Sequence, residues 1–215
     1  MNVAILGLGR FGTQLTEELV SMDVEVLSVD RSPVRVNEVA ETATLAAEGN
    51  IADYEFLQSL DLDSYDSVVI AVGSDIATSV LVALTLKQRL GIRHVVAKAS
   101  TTDHAEALRL AGADLVVSPE QDAAISLAHV LGPSSRLSDY LSLGPTYGVA
   151  KLAARNSAIG RALGSLEPFA RNNVVLLAMI RDGSVTFQPD HETLVKEGDA
   201  WLIAGDDEQL RKAGS

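Results

Sequence analysis

The run VAILGLGRFGTQL, from Val3 to Leu15, constrains the chain more than any other stretch. An apolar strand pattern feeds a G-x-G-x-x-G, and a helical pattern opens directly after it. Gly7 permits the tight turn out of the strand, Gly9 lets backbone approach a phosphate, and Gly12 lets the helix lie close to the sheet. The helix N-terminus then presents free N–H groups and a partial positive charge to an anion. A second strand pattern, VEVLSVD, ends at Asp30, where a carboxylate meets the ribose hydroxyls of a bound nucleotide. The same carboxylate repels a 2′-phosphate and disfavours NADP, an effect that adjacent Arg31 softens. Arg10 stands inside the glycine loop. It is most useful there against a terminal phosphate, which carries more charge than a bridging pyrophosphate, and otherwise reads as a solvated side chain of the first turn. Phe11 reads more readily as core packing than as a ligand contact.

Strand and helix patterns keep alternating beyond this unit. TLAAEG is a weak third strand, SVVIAVG a nearly continuous apolar run suited to a parallel strand buried on both faces, and HVVAKA and DLVVS are two more. Helical patterns separate them, one opened by Pro33, one capped by Asp53, and one ended by Gly91. Leu15, Leu19, Val20 and Met22 form the apolar face of the first helix. Six strands with five intervening helices predict a doubly wound, Rossmann-like parallel α/β sheet. Ligands bind such sheets at the carboxyl ends of the strands, which selects Gly73, Lys98 and Glu120. Lys98 could reach phosphate, and Glu120 a metal or a second nucleotide. Lys98 could equally only snorkel. Ser118-Pro119-Glu120-Gln121 also reads as a capping box, in which Glu120 merely favours the helix dipole.

The texture changes after the helix EQDAAISLAHVLG. GPSSRLSDYLSLGPTYG reads as a linker with one short helical stretch, and from Tyr147 the elements are short and hairpin-like. Asp182-Gly183 marks a hairpin turn, KEGDAWLIAG adds a turn and a strand, and DDEQLRKA closes with a helix. The expected division is 1–132, a linker 133–146, and a small α+β domain 147–215. That second domain is marginal for an independent core, so a dimer contact is expected there.

Composition narrows the function. The 215 residues carry a formal net charge of -12, which makes nucleic acid a poor partner. There is no cysteine, so disulfides, thiol nucleophiles and Cys-ligated zinc are absent. The chain opens on a strand pattern with no basic n-region, and its longest late apolar run, VVLLAMI, is far too short to span a bilayer. The expectation is a soluble cytoplasmic protein, brought to any membrane by another chain. His94, His104, His129 and His191 fall in no metal-ligand spacing. His104 reads as helical and exposed, His129 as packed or surface, and His191 as loop. No nucleophile elbow exists, so a catalytic centre is not evident. An NAD(H)-dependent oxidoreductase with an unusual second domain stays open as the alternative.

In their order, GLGRFG, VEVLSVD, AAEGN, DSVVIAVGSD, HVVAKA and AGADLVVSPEQD, with the trailing hairpin domain, resemble the cytosolic RCK (KTN) regulatory subunits of Ktr/Trk-type potassium uptake systems. The resemblance spans nearly the whole chain, with a TrkA-N (RCK-N) domain at 1–132 and a TrkA-C (RCK-C) domain at 147–215. It implies a non-enzymatic subunit whose dimers assemble into an octameric ring at the inner face of the cell membrane, beneath a potassium channel subunit. ATP and ADP, or NAD/NADH in some members, would favour different ring shapes. By position, Gly7, Gly9, Arg10 and Gly12 would cradle phosphates, Asp30 would hold the ribose, Asn50 and Ile51 would border the adenine, and Lys98 would face the phosphates. Glu120 would lie near the dimer axis, where ATP-binding members place a divalent cation (Mg or Ca). The chain departs from the Asn-Ala-Thr of many relatives, since GNIAD lacks the Thr. Some RCK-C domains bind cyclic di-AMP, and Glu167, Pro168, Phe169 and Val175 do not show the polar pattern it calls for. The same module attached to an antiporter or another channel is a further reading.

Overall fold

The structure, a computed structural model, describes residues 1–132, 136–166 and 174–214. The chain divides into two compact units, Met1–Glu120 and Gln121–Ser215.

The first unit is built on six parallel strands: β1 (Asn2–Leu6), β2 (Glu25–Asp30), β3 (Leu45–Glu48), β4 (Ser67–Ile70), β5 (Val95–Lys98) and β6 (Leu115–Val117). Their order is β3-β2-β1-β4-β5-β6. β1 pairs with β2 on one side and β4 on the other, so the winding reverses between them and opens a crevice at their carboxyl ends. Side chains alternate across the sheet with period two. On one face Val3, Ile5 and Val69 meet Phe11, Leu15 and Leu19 of α1 (Arg10–Ser21). On the other, Ala4, Leu6 and Ile70 pack with Leu57 of α3 (Tyr54–Ser59), with Val82 of α4 (Ile76–Leu84) and with Leu108 of α5 (Thr102–Leu110). Burial on both faces is why β4 reads as an unbroken apolar run. The helix boundaries follow the expected signals: Pro33 opens α2 (Pro33–Val39), and Asp53 caps α3 by accepting from the N–H groups of Glu55 and Phe56. α4 continues into a π-helical turn, Thr85–Arg89, before the left-handed Gly91.

Two readings of this unit change. Met22 is not part of the buried face of α1; the helix ends at Ser21 and Met22 is 67% exposed. His104 is buried, not exposed, because α5 turns it inward beside Ala105 and Leu108.

In the second unit, β7 (Leu137–Ser142), β8 (Tyr147–Ala153), β9 (Val174–Arg181), β10 (Ser184–Phe187) and β11 (Ala200–Asp206) form an antiparallel sheet in the order β10-β9-β11-β8-β7. The expected linker with a helical stretch is therefore overturned in part: Leu137–Ser142 is a strand paired with β8. Asp182 and Gly183 both take positive φ, as a two-residue hairpin of this hand requires. Trp201, Leu152, Ile203 and Leu210 are the centre of this core, the last from the closing helix Asp207–Gly214. Ile125 of α6 (Pro119–Leu131) packs against it. Buried Asp199 accepts from Nε and Nη2 of Arg181 at 2.7 Å and from the Lys196 N–H at 2.8 Å, and the Arg181 bonds hold its carboxyl below the ordinary range.

Candidate nucleotide site

The glycine loop owes its shape to two close approaches. Gly7 has φ +108°, and a Cβ there would stand 2.6 Å from Val72 Cγ2. A Cβ on Gly12 would stand 2.0 Å from the Gly7 carbonyl oxygen, so the first turn of α1 lies directly on the loop. Gly9 differs from both. Nothing lies within 4 Å of where its Cβ would point, and it caps α1 without a side-chain hydrogen bond. A helix leaves its first-turn N–H groups without intrahelical acceptors.

Asp30 holds the loop from below. Its Oδ2 accepts from the Leu8 N–H at 2.7 Å and lies 3.5 Å from Arg35 Nη1, and its Oδ1 accepts from the Ser32 N–H at 2.9 Å. The carboxylate is almost wholly buried.

Two adjoining hollows meet at Gly7, Asp30, Arg35, Val72 and Ser74. One, of about 210 Å³, brings together Gly9, Arg10, Phe11, Gly73, Lys98 and Glu120. The other, of about 130 Å³, brings together Arg31, Gly49, Asn50 and Ile51. All the residues singled out in the sequence for the nucleotide site, except Gly12, thus line these two adjoining hollows. At the cationic end, Lys98 Nζ sits 2.6 Å from Glu120 Oε1 and 5.6 Å from the centre of the Phe11 ring. Phe11 does two things: it packs on the core and lines the hollow. The Lys98 hydrogen bond, with a smaller push from Arg10, holds the Glu120 carboxyl below its usual range. Arg10 is exposed on the first turn.

Sequence reasoning missed Ser74, Asp75 and Thr78, which line the smaller hollow. The signal was present in GSDIAT: Asp75 caps α4, accepting from the Thr78 N–H at 3.0 Å and the Thr78 hydroxyl at 2.7 Å. These bonds lower the Asp75 carboxyl.

None of the four histidines lines the crevice. His94 is bonded to Ser67, His129 stacks on Tyr140, His191 lies in a turn, and His104 is buried between α4 and α5. Among the described residues no group of three or more His, Asp or Glu is placed to hold a metal. Glu120 alone is one carboxylate, fewer ligands than a divalent cation takes. Among them, too, no helix is long and apolar enough to cross a membrane. In the second unit Val175 lines a separate hollow of about 640 Å³; Glu167, Pro168 and Phe169 lie outside the described residues.

An open parallel sheet with this glycine loop and an acid closing β2 defines a Rossmann-type nucleotide-binding fold. The chain belongs to the TrkA-N domain family, whose sequence model matches residues 3–119. It is 32% identical over 202 residues to Ktr system potassium uptake protein C of Bacillus subtilis, covering 94% of this chain and 90% of that one. It is 31% identical over 209 residues to Ktr system potassium uptake protein A of the same organism, covering 97% and 93%. Among solved structures, the GsuK RCK domain superposes with a TM-score of 0.69 at 20% identity, over 97% of this chain and 46% of that one. The GsuK channel bound to NAD gives 0.66 at 22%, over 97% and 38%. The fold is therefore that of an RCK domain, and the resemblance to Ktr/Trk subunits read from the motifs agrees with these relatives.

Proposed function

We propose that this chain is the nucleotide-sensing regulatory subunit of a potassium uptake system and catalyses no reaction. The observation that carries this reading is the cationic end of the crevice. Arg10 and Lys98 line the hollow where a nucleotide's last phosphates would lie. The near full-length similarity to Ktr potassium uptake proteins supports a membrane potassium channel or transporter as the partner.

In this reading the adenosine occupies the hollow bounded by Asn50 and Ile51, Asp30 takes the ribose, and the loop with Gly7, Gly9 and Gly12 takes the phosphates. Gly73 lies against the Lys98 side chain. A terminal phosphate would compete with Glu120 for Lys98. Phosphate oxygens and a second copy's carboxylate could then complete a Mg or Ca site at Glu120. Dimers through the TrkA-C region, 147–215, would build the octameric ring at the cytoplasmic face of the membrane. A nucleotide can gate such a ring only through its difference in affinity for two ring shapes.

Asp30 also suits the adenine ribose of NAD, which makes an NAD(H)-sensing regulator the second reading. Calorimetric titration with ATP, ADP, NAD and NADH, with and without magnesium, separates the two. Arg10→Ala is expected to weaken ATP about tenfold and ADP less, the worth of one charge-assisted contact. Glu120→Gln is expected to abolish the magnesium dependence. Binding of NADH alone, with Arg10→Ala indifferent, would overturn the ATP/ADP reading.

A further inference from the structure

The second unit carries a cationic pocket that the nucleotide reading leaves unused. Arg136, Arg155 and Arg161 line a hollow of about 140 Å³ together with Ser157, Leu166 and Trp201. The fold brings them together by register. Leu137 opens β7 opposite Leu152 of β8, so Arg136, just before β7, and Arg155, just after β8, fall at the same end of the pair. Arg136 is fixed there, donating to the carbonyls of Ala153 at 2.9 Å and of Ala213. Arg161 follows the short helical turn Asn156–Ala158 and donates one nitrogen to the Ser165 carbonyl at 3.0 Å.

The charge pattern is the unusual part. The chain has 29 Asp and Glu against 17 Lys and Arg, yet no carboxylate is among the described residues that line this pocket. Neither Arg155 nor Arg161 forms an ion pair among the described residues. Both are exposed, so their remaining donors are accessible. Burial, with the nearby Arg155 charge, pushes the Arg136 guanidinium down to about 10. The like charges of Arg136 and Arg155 repel one another. A compact anion carrying more than one charge relieves that repulsion, and guanidinium forks match phosphate oxygens two at a time.

We propose that this pocket is a binding site for a phosphate monoester, with Arg155 and Arg161 gripping the phosphate and Arg136 forming the fixed wall. The Ser157 hydroxyl adds a donor, and Leu166 and Trp201 give an apolar floor for the first atoms of whatever carries the phosphate. None of its residues lines the glycine-loop crevice.

Trp201 is the chain's only tryptophan, and its emission reports this pocket and not the glycine loop. The test titrates the full chain with inorganic phosphate and with glycerol 3-phosphate at constant ionic strength, following that emission. A saturable change is expected. Arg155→Gln and Arg161→Gln should each weaken it about tenfold, the worth of one charge-assisted contact, while Arg10→Ala leaves it intact. Circular dichroism of each variant checks that the sheet is retained, and Arg155→Lys should recover part of the affinity. Vesicles of phosphatidylcholine, with and without phosphatidic acid, form the second arm. A response to the soluble phosphates identifies a free ligand, and a response to the phosphatidic acid vesicles alone identifies a lipid headgroup. No saturable change in either arm, a change that potassium chloride reproduces, or one that survives the Arg155→Gln/Arg161→Gln double variant overturns the proposal.

Discussion

His104 is the residue at which sequence and structure part most sharply. Its Nδ1 accepts from the Ser100 N–H at 3.2 Å, and its Nε2 meets the Ser79 hydroxyl at 2.7 Å. Since that hydroxyl donates to the Ile76 carbonyl, Nε2 must carry the proton and Nδ1 none. Burial holds the ring below its ordinary pKa of 6.5, in the neutral form. The unfolded chain takes up a proton as pH falls through about 6.5 and the folded chain does not. Stability is thus full above that pH and declines below it, by up to about 1.4 kcal/mol per pH unit, until the folded ring titrates. Urea denaturation between pH 7.5 and 5 should show this slope in the wild type and lose it in His104→Gln, which should also cost about 1–3 kcal/mol at neutral pH. A polar neighbourhood hid His104 in the sequence. The clue was spacing: His104, Leu108 and Ala111 recur at i, i+4 and i+7 and are all buried.

At the scale of elements, the parallel sheet was legible because buried strands leave continuous apolar runs, and the glycine loop because its spacing follows from backbone contact. The β7 strand was not. Only Leu137 and Tyr140 are buried in it, three residues apart, because a register shift between Leu137 and Asp139 breaks the alternation. Serines and Gly-Pro pairs around it then suggest a linker. Most of the candidate site was readable, because β1, β2, β4 and β5 end in marked residues; Ser74, Asp75 and Thr78 were hidden in what read as an ordinary helix start. The packing of α1 on its own loop makes a direct prediction. Gly12→Ala should force the helix off the Gly7 carbonyl and cost about 2–3 kcal/mol, the upper part of the overpacking range. A shift of the urea midpoint with an unchanged slope would show it, and an unchanged midpoint would contradict the close approach.

At the scale of the whole molecule, ligand linkage is the accessible measurement. A nucleotide that binds only the folded chain should stabilise it by about 2.7 kcal/mol at a hundredfold excess over Kd. Thermal unfolding of the wild type should therefore shift upward with ATP, and the shift should shrink in Arg10→Ala at the same ATP concentration. The formal charge of -12 adds a control. Duplex DNA, itself a polyphosphate, should produce no such shift at physiological salt, because the surface as a whole repels it even though the crevice attracts a single phosphate chain.

The bond from the Leu8 N–H to Asp30 has its own consequence. The acid that would recognise a ribose is at the same time a tie-rod of the loop that would hold the phosphates. Removing it by mutation therefore changes two binding surfaces at once, and the loss cannot be assigned to sugar recognition. The ligand side can be altered alone: a 2′,3′-dideoxynucleotide removes the hydroxyls and leaves the tie-rod in place. For this chain, sugar selectivity is a quantity to be read from nucleotide chemistry and not from mutagenesis.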